Sequence, residues 1–248
     1  MHRRDFLTGS LVCTLSSIGG LSSAASVGLT SDQRVAALLS WLLRQGKTTT
    51  SARQLAEELS KNAAPAERRI IAFELVRALP YKLARFDPQK PDAVFSIGFG
   101  DCRHKAAGFH RLLQALGESS RTVLMPFDWR DLPIPAPILA NLEETRGFHD
   151  CVQIEIDGQM RLIDPTWDGA LLKAGFPGSM RWNGTDATPA ITAKAGPVVL
   201  HTEFRSYTEL FDRFGIRWPK RDRTLAFNRA FNRWSSDLRS SPQLSARR

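Results

Sequence analysis

The sequence predicts an α+β fold, and three observations predict it. Apolar residues recur at helical spacing before residue 80, a glycine-rich turn at residues 98–100 enters another helical stretch, and two alternating stretches flank Asp157-Gly158 as the arms of a hairpin do. Composition agrees: 42% hydrophobic and 24% charged residues over 248 positions describe an ordinary folded chain with enough apolar mass for a core. It excludes disordered, collagen-like and disulfide-stapled classes. The cysteines are Cys13, Cys102 and Cys151, and no paired Cys-x-x-Cys or other metal-ligand spacing occurs, so no metal and no cofactor are expected.

Taken in order, residues 1–26 (MHRRDFLTGSLVCTLSSIGGLSSAAS) read as an address. Arg3-Arg4 precede Asp5-Phe6-Leu7, then a mildly apolar stretch ends at a candidate cleavage site, Ser23-Ala24-Ala25. This resembles a twin-arginine export signal, which implies a periplasmic or secreted protein that folds before export. Gly, Ser and Thr interrupt the stretch too often for a bilayer span. Leu11 and Val12 before Cys13 exclude a lipoprotein anchor.

A domain over residues 27–204 follows. Thr30 or Ser31 caps a helix through Val35, Leu38, Leu39, Leu42 and Leu43 that stops at Gly46. Thr50 or Ser51 caps a second, with Leu55 and Leu59 inward. Pro65 suits the first turn of a third, carrying Ile70, Ile71, Phe73, Leu75 and Leu79, and Pro80 ends it. These form an N-terminal helical layer. After an irregular stretch, Cys102 opens a helix with Ala106, Phe109, Leu112, Leu113 and Leu116 inward, closed by Gly117. Residues 121–125 read as a strand. Residues 126–147, with four prolines, read as a long loop shaping a cleft. His149 opens a strand to Ile156, and Gln159–Ile163 returns to Asp164. Residues 170–200 show no pattern.

The chemistry-bearing residues are Cys102, His149 and Asp164. A helix N-terminus presents unpaired N–H groups and partial positive charge, which favour thiolate over thiol and stabilise an oxyanion formed beside the sulfur. Gly98 and Gly100 leave room for a substrate backbone. Pairing across Asp157-Gly158 sets Cys151 about opposite Asp164, with His149 just beyond, so carboxylate and imidazole approach. Nucleophile, base and orienting carboxylate follow in that order.

The run GFGDCRHKAAGFHRLLQALG, then RTVLM, then GFHDCVQIEIDGQMRLIDPTWD, resembles the core of the transglutaminase-like superfamily over residues 95–170. The resemblance implies a papain-like core, with the nucleophile helix packed on an antiparallel sheet. It also implies that Cys102 attacks a carbonyl, His149 shuttles the proton and Asp164 holds the imidazole. Members include cross-linking transglutaminases, cysteine proteases, amidases and inactive scaffolds. Hydrolysis and transamidation of a peptide or protein therefore both stay open, as does a non-catalytic module binding an envelope peptide.

Around this core, Trp129, Trp167 and Asp168 are candidates for the substrate cleft, and Tyr81 is the upstream candidate for a second oxyanion donor. His104 faces away from the site and reads as structural. Cys151 shares a strand face with His149, so it is either an inert half-buried thiol or a redox partner of Cys102. Residues 205–248 form a basic helical extension, with eleven Lys or Arg against four Asp or Glu, which supplies most of the net charge of +9. Phe227, Phe231, Trp234 and Leu238 make one apolar stripe, while Arg223, Arg229, Arg233 and Arg239 occupy the other sides. The stripe packs on the domain, or the helix meets an anionic envelope surface. Nucleic acid is not expected for an exported chain.

Overall fold

The caps and periodicities of the sequence become helices in the computed structural model, which describes residues 30–45, 51–85, 89–192, 194–200 and 202–241. The expected export segment with Cys13, and Gly46 and Thr50, lie outside these residues. The first layer is α1 (Ser31–Gln45), α2 (Ala52–Asn62) and α3 (Pro65–Ala78). Ser51 caps α2 in a reciprocal box with Gln54, satisfying two backbone donors that a helix start leaves open. Pro65 stands at the first turn of α3, where its missing N–H costs nothing.

Then come the short α4 (Ala93–Ile97), α5 (Cys102–Ala115), β1 (Ser120–Asp128), α6 (Ala136–Leu139), β2 (Arg146–Ile156), β3 (Gln159–Ile163), α7 (Gly169–Lys173), α8 (Tyr207–Arg213) and α9 (Arg221–Ser240). The three strands form one antiparallel sheet in the order β1-β2-β3, so the architecture is α+β. Asp157, at φ 52, and Gly158, at φ 72, make the β2–β3 turn, where two left-handed residues match the twist of the strands.

Strand alternation divides the core in two. Val152, Ile154, Ile156 and Ile163 face the helical layer, packing with Ile71, Phe73, Leu75, Phe109, Leu112 and Leu113. On the other face, Val123, Met125 and Cys151 join an aromatic cluster of Tyr81, Trp167, Phe176, Phe227 and Phe231. Phe227 and Phe231 are 2% and 0% exposed. Truncating a buried Phe typically costs about 3–5 kcal/mol, so the stripe of α9 is a structural part of this second core.

Two strand boundaries differ from expectation. Residues 126–128 pair with 146–148, Asp128 opposite Arg146, so His149 is the fourth residue of β2 rather than its first. Pro126 is tolerated because β1 is an outer strand of the sheet, where a missing N–H breaks no ladder bond. The proline-rich segment that follows does not frame a cleft: Leu132 and Ile134 are buried in the second core cluster, with Ile138, Leu139 and Leu142 packed against it. Its apolar residues sit between prolines, a spacing that conceals them from any helix or strand period.

Candidate active site

Cys102 is the first residue of α5, and Asp101 caps the helix by accepting from the Arg103 and His104 backbone N–H groups. The His104 ring, fully buried, lies 2.6 Å from the same carboxylate, and Arg103 Nη2 donates to its other oxygen at 2.6 Å. Burial works to raise the Asp101 pKa, but the bonds from His104 and Arg103 outweigh it and hold the carboxyl below its ordinary value. His104 is therefore a structural residue.

His149 is 1% exposed, and its Nε2 lies 2.7 Å from Asp164 Oδ2. Asp164 is fixed in turn: its N–H donates to Thr188 Oγ1 at 2.8 Å, and its Oδ1 accepts from the Thr166 N–H at 3.0 Å. The other imidazole nitrogen, Nδ1, is buried with no hydrogen-bond partner among the described residues, and Cys102 lies against the ring. Burial lowers the imidazole pKa, yet the charge and hydrogen bond of Asp164, with Cys102, pull it up to about 10. Trp167 stacks on the imidazole, with centroids 5.3 Å apart and planes at 19°. A buried imidazole anchored through one nitrogen, with the other left for a thiol, can accept or deliver a proton at that thiol.

The thiol itself corrects one expectation. Burial raises its pKa, His149 lowers it, and the Asp150 and Asp101 carboxylates raise it again; the net direction is upward.

The remaining candidates fall in different places. Tyr81 is fully buried, joined to Gly100 by a parallel bridge, and its hydroxyl lies beside Cys102 without a geometric hydrogen-bond partner among the described residues. Burial first, then the Cys102 and Asp101 charges, raise its pKa well above the ordinary value, so it remains a donor. Gly98, at φ 79, ends α4 in the left-handed conformation that favours glycine. A Cβ on Gly100 would lie 2.7 Å from the His104 Cβ, so this glycine serves the close packing of the turn on α5, while the space beside Gly98 is open. Trp129, half-buried, packs edge-on against Phe127, Phe227 and Phe231 at 5.0, 5.1 and 6.0 Å, so its ring is engaged by the second core. Trp167, 2% exposed, covers the imidazole and does not line an open cleft. Asp168 caps α7 and accepts from the Tyr81 N–H at 2.7 Å, an anchor and not a cleft wall. Cys151 is a free, buried thiol, as Cys102 is free. Its place among Val123, Met125 and Trp167, and a pKa driven far up by burial and then by Asp164, fit the inert thiol of the two alternatives rather than the redox partner.

Three supporting residues were missed in the sequence. Asp150 accepts from the Cys102 thiol, Sγ to Oδ2 3.9 Å. The one available signal is an acidic residue on the helix-facing side of β2, otherwise Val152 and Ile154. Lys105 is fully buried, and its Nζ donates to the Arg77, Leu79 and Thr166 carbonyls at 3.3, 2.8 and 2.6 Å, tying the nucleophile helix to the Asp164 loop. All three ammonium donors are satisfied, without which burial would be prohibitive. Arg239, expected to face outward, turns in: its Nη2 donates to Asp168 Oδ2 at 2.6 Å and to the Tyr81 carbonyl at 2.7 Å.

No protein-family model matches the chain, and no curated protein does. Among solved structures, a candidate cysteine protease from Cytophaga hutchinsonii is similar at a TM-score of 0.34 and 16% identity, over 56% of this chain and 44% of that one.

Proposed function

We propose that this protein is a cysteine-dependent acyl-transfer enzyme on a papain-like, transglutaminase-like core, acting on peptide or amide carbonyls through a Cys102 thioester. The observation that carries the reading is the buried His149, held through Nε2 by Asp164 while Nδ1 stands unpartnered against the thiol. His149 and Cys102 share one proton: sulfur bonds to the carbonyl carbon as thiolate while that proton is held at Nδ1. The oxyanion meets the N–H groups at the start of α5, with the Tyr81 hydroxyl as second donor. Collapse breaks the C–N bond, and the imidazolium returns the proton to the leaving amine. Water then resolves the thioester in a hydrolase, an amine in a transglutaminase. Export by the twin-arginine-type segment, and contact of the outer arginines of α9 with an anionic envelope surface, belong to the same proposal.

The test is iodoacetamide labelling of Cys102, mapped by mass spectrometry over pH 5 to 10, in wild type and His149→Ala, with Cys102→Ser as the control. Trapping of an acyl-enzyme from an activated amide completes it. Slower labelling and no acyl-enzyme without His149 support the reading. If wild-type Cys102 labels as a free thiol of pKa about 8.5 and ignores the loss of His149, the peptide-binding module replaces the enzyme.

A further inference from the structure

A pocket of about 310 Å³ is lined by Arg103 and Asp150, with Gln89, Leu124, Leu200 and Tyr207, and it meets the thiol through Asp150. The two charged residues on its wall are not equivalent. Arg103 is committed to Asp101, through Nη2 at 2.6 Å and Nε at 3.3 Å, and also reaches the Ala84 carbonyl. Asp150 has the Cys102 thiol as its hydrogen-bond partner and no cationic side chain bonded to it among the described residues. The pocket therefore presents one carboxylate that accepts no hydrogen bond from a cationic side chain among the described residues, 3.9 Å from the candidate nucleophile. Burial, the main cause, raises that carboxyl to about 7; His149, Arg103 and His104 pull it down, Asp101 pushes it up, and burial prevails.

Resting on the acyl-transfer reading, we infer that Asp150 and this pocket form a subsite for the amino-terminal residue of a peptide, with Asp150 receiving its free α-ammonium group. Distances admit this amine. A carbonyl carbon poised for attack stands about 3–3.5 Å from sulfur. The α-nitrogen of the same residue is about 2.5 Å from that carbon. An ammonium bonded to Oδ2 at about 2.8 Å lies within about 7 Å of Sγ, so the α-nitrogen reaches it. Leu124, Leu200 and the Tyr207 ring offer the same residue's side chain an apolar seat, and the pocket volume suits one side chain.

Two readouts test this on the full chain. The first is the alkylation rate of Cys102 by cationic 2-bromoethylammonium relative to neutral iodoacetamide, with glutathione as the reference thiol. A charge-assisted hydrogen bond should raise the ratio about tenfold over glutathione, and Asp150→Asn should return it to the reference. A wild-type ratio equal to that of glutathione overturns the subsite without any need of the variant. The second compares acylation of Cys102 by a leucyl coumarylamide with a free or an acetylated amino group. A preference of about tenfold for the free amine, absent in Asp150→Asn, is the expected result. Equal acylation by both overturns the amino-terminal assignment, as does a cation effect confined to amines resolving the thioester. A raised alkylation ratio with no acylation by either substrate would leave the ammonium subsite standing while removing the acyl-transfer reading.

Discussion

Replacing Arg239 by alanine should weaken the fold through the residue that sits beside the candidate nucleophile. Arg239 Nη2 and Nε reach Asp168 Oδ2 at 2.6 and 3.2 Å, and Nη2 also donates to the Tyr81 carbonyl at 2.7 Å. The same Asp168 oxygen accepts from the Tyr81 N–H, so both backbone polar groups of Tyr81 are held by one ion pair. The Arg239 and Asp168 side chains are 19% and 6% exposed. Breaking a buried pair from one side costs about 3–5 kcal/mol. Water reaches the arginine, and Asp168 keeps the Tyr81 and α7 N–H groups, so the low end applies: about 3 kcal/mol, or roughly 6–12 °C in Tm for a chain of this size. Burial raises the Asp168 pKa, but Arg239, Lys105 and the Tyr81 N–H outweigh it and hold it low. The sign follows: a carboxyl depressed in the fold contributes above its ordinary pKa and loses that contribution as pH falls through the folded value. The gap between wild type and variant should therefore be full at pH 7 and narrow below about pH 4. Urea unfolding at pH 7 and pH 3.5 measures both. A gap under 1 kcal/mol at pH 7, or one that widens in acid, would refute the reasoning. Arg239→Lys should recover part of the loss, since one ammonium lacks the fork that serves both acceptors.

Other outcomes follow from the site. Cys102 labelling should rise with pH and have its midpoint above that of a free thiol, and Asp150→Asn should move the midpoint down by removing an anion that disfavours thiolate; a midpoint that stays put or rises in the variant contradicts this. Asp164→Asn should drop the His149 pKa from about 10, as charge is lost while a hydrogen-bond acceptor stays, and NMR titration of the imidazole reads it directly. Lys105→Met leaves three carbonyls without their donor and should cost about 2–4 kcal/mol in chemical denaturation, against near neutrality if those bonds are idle. Gly100→Ala should cost about 1–3 kcal/mol, because the new Cβ meets the His104 Cβ at 2.7 Å and the helix start has little freedom to yield.

Much of this molecule was already legible one residue at a time. Ser51, Pro65 and Asp157-Gly158 act on their immediate neighbours, so the ends of α2 and α3 and the β2–β3 turn could be read locally. The hairpin register followed from that turn, and with it the approach of His149 to Asp164 across two adjacent strands. The same locality explains Phe227 and Phe231, whose spacing marks an inward stripe wherever the helix docks. Tertiary structure alone decided the rest. Whether Trp129 met substrate or core depended on α9, about a hundred residues away. Arg239 turned inward because Asp168 and the Tyr81 carbonyl, distant in sequence, offered a buried anion and an open acceptor that no helical period encodes. Asp150 and the direction of the Cys102 pKa belong to the same class. Electrostatics in a buried site sum over every nearby charge and the water that packing excludes, and both are properties of the assembled chain rather than of any segment of it.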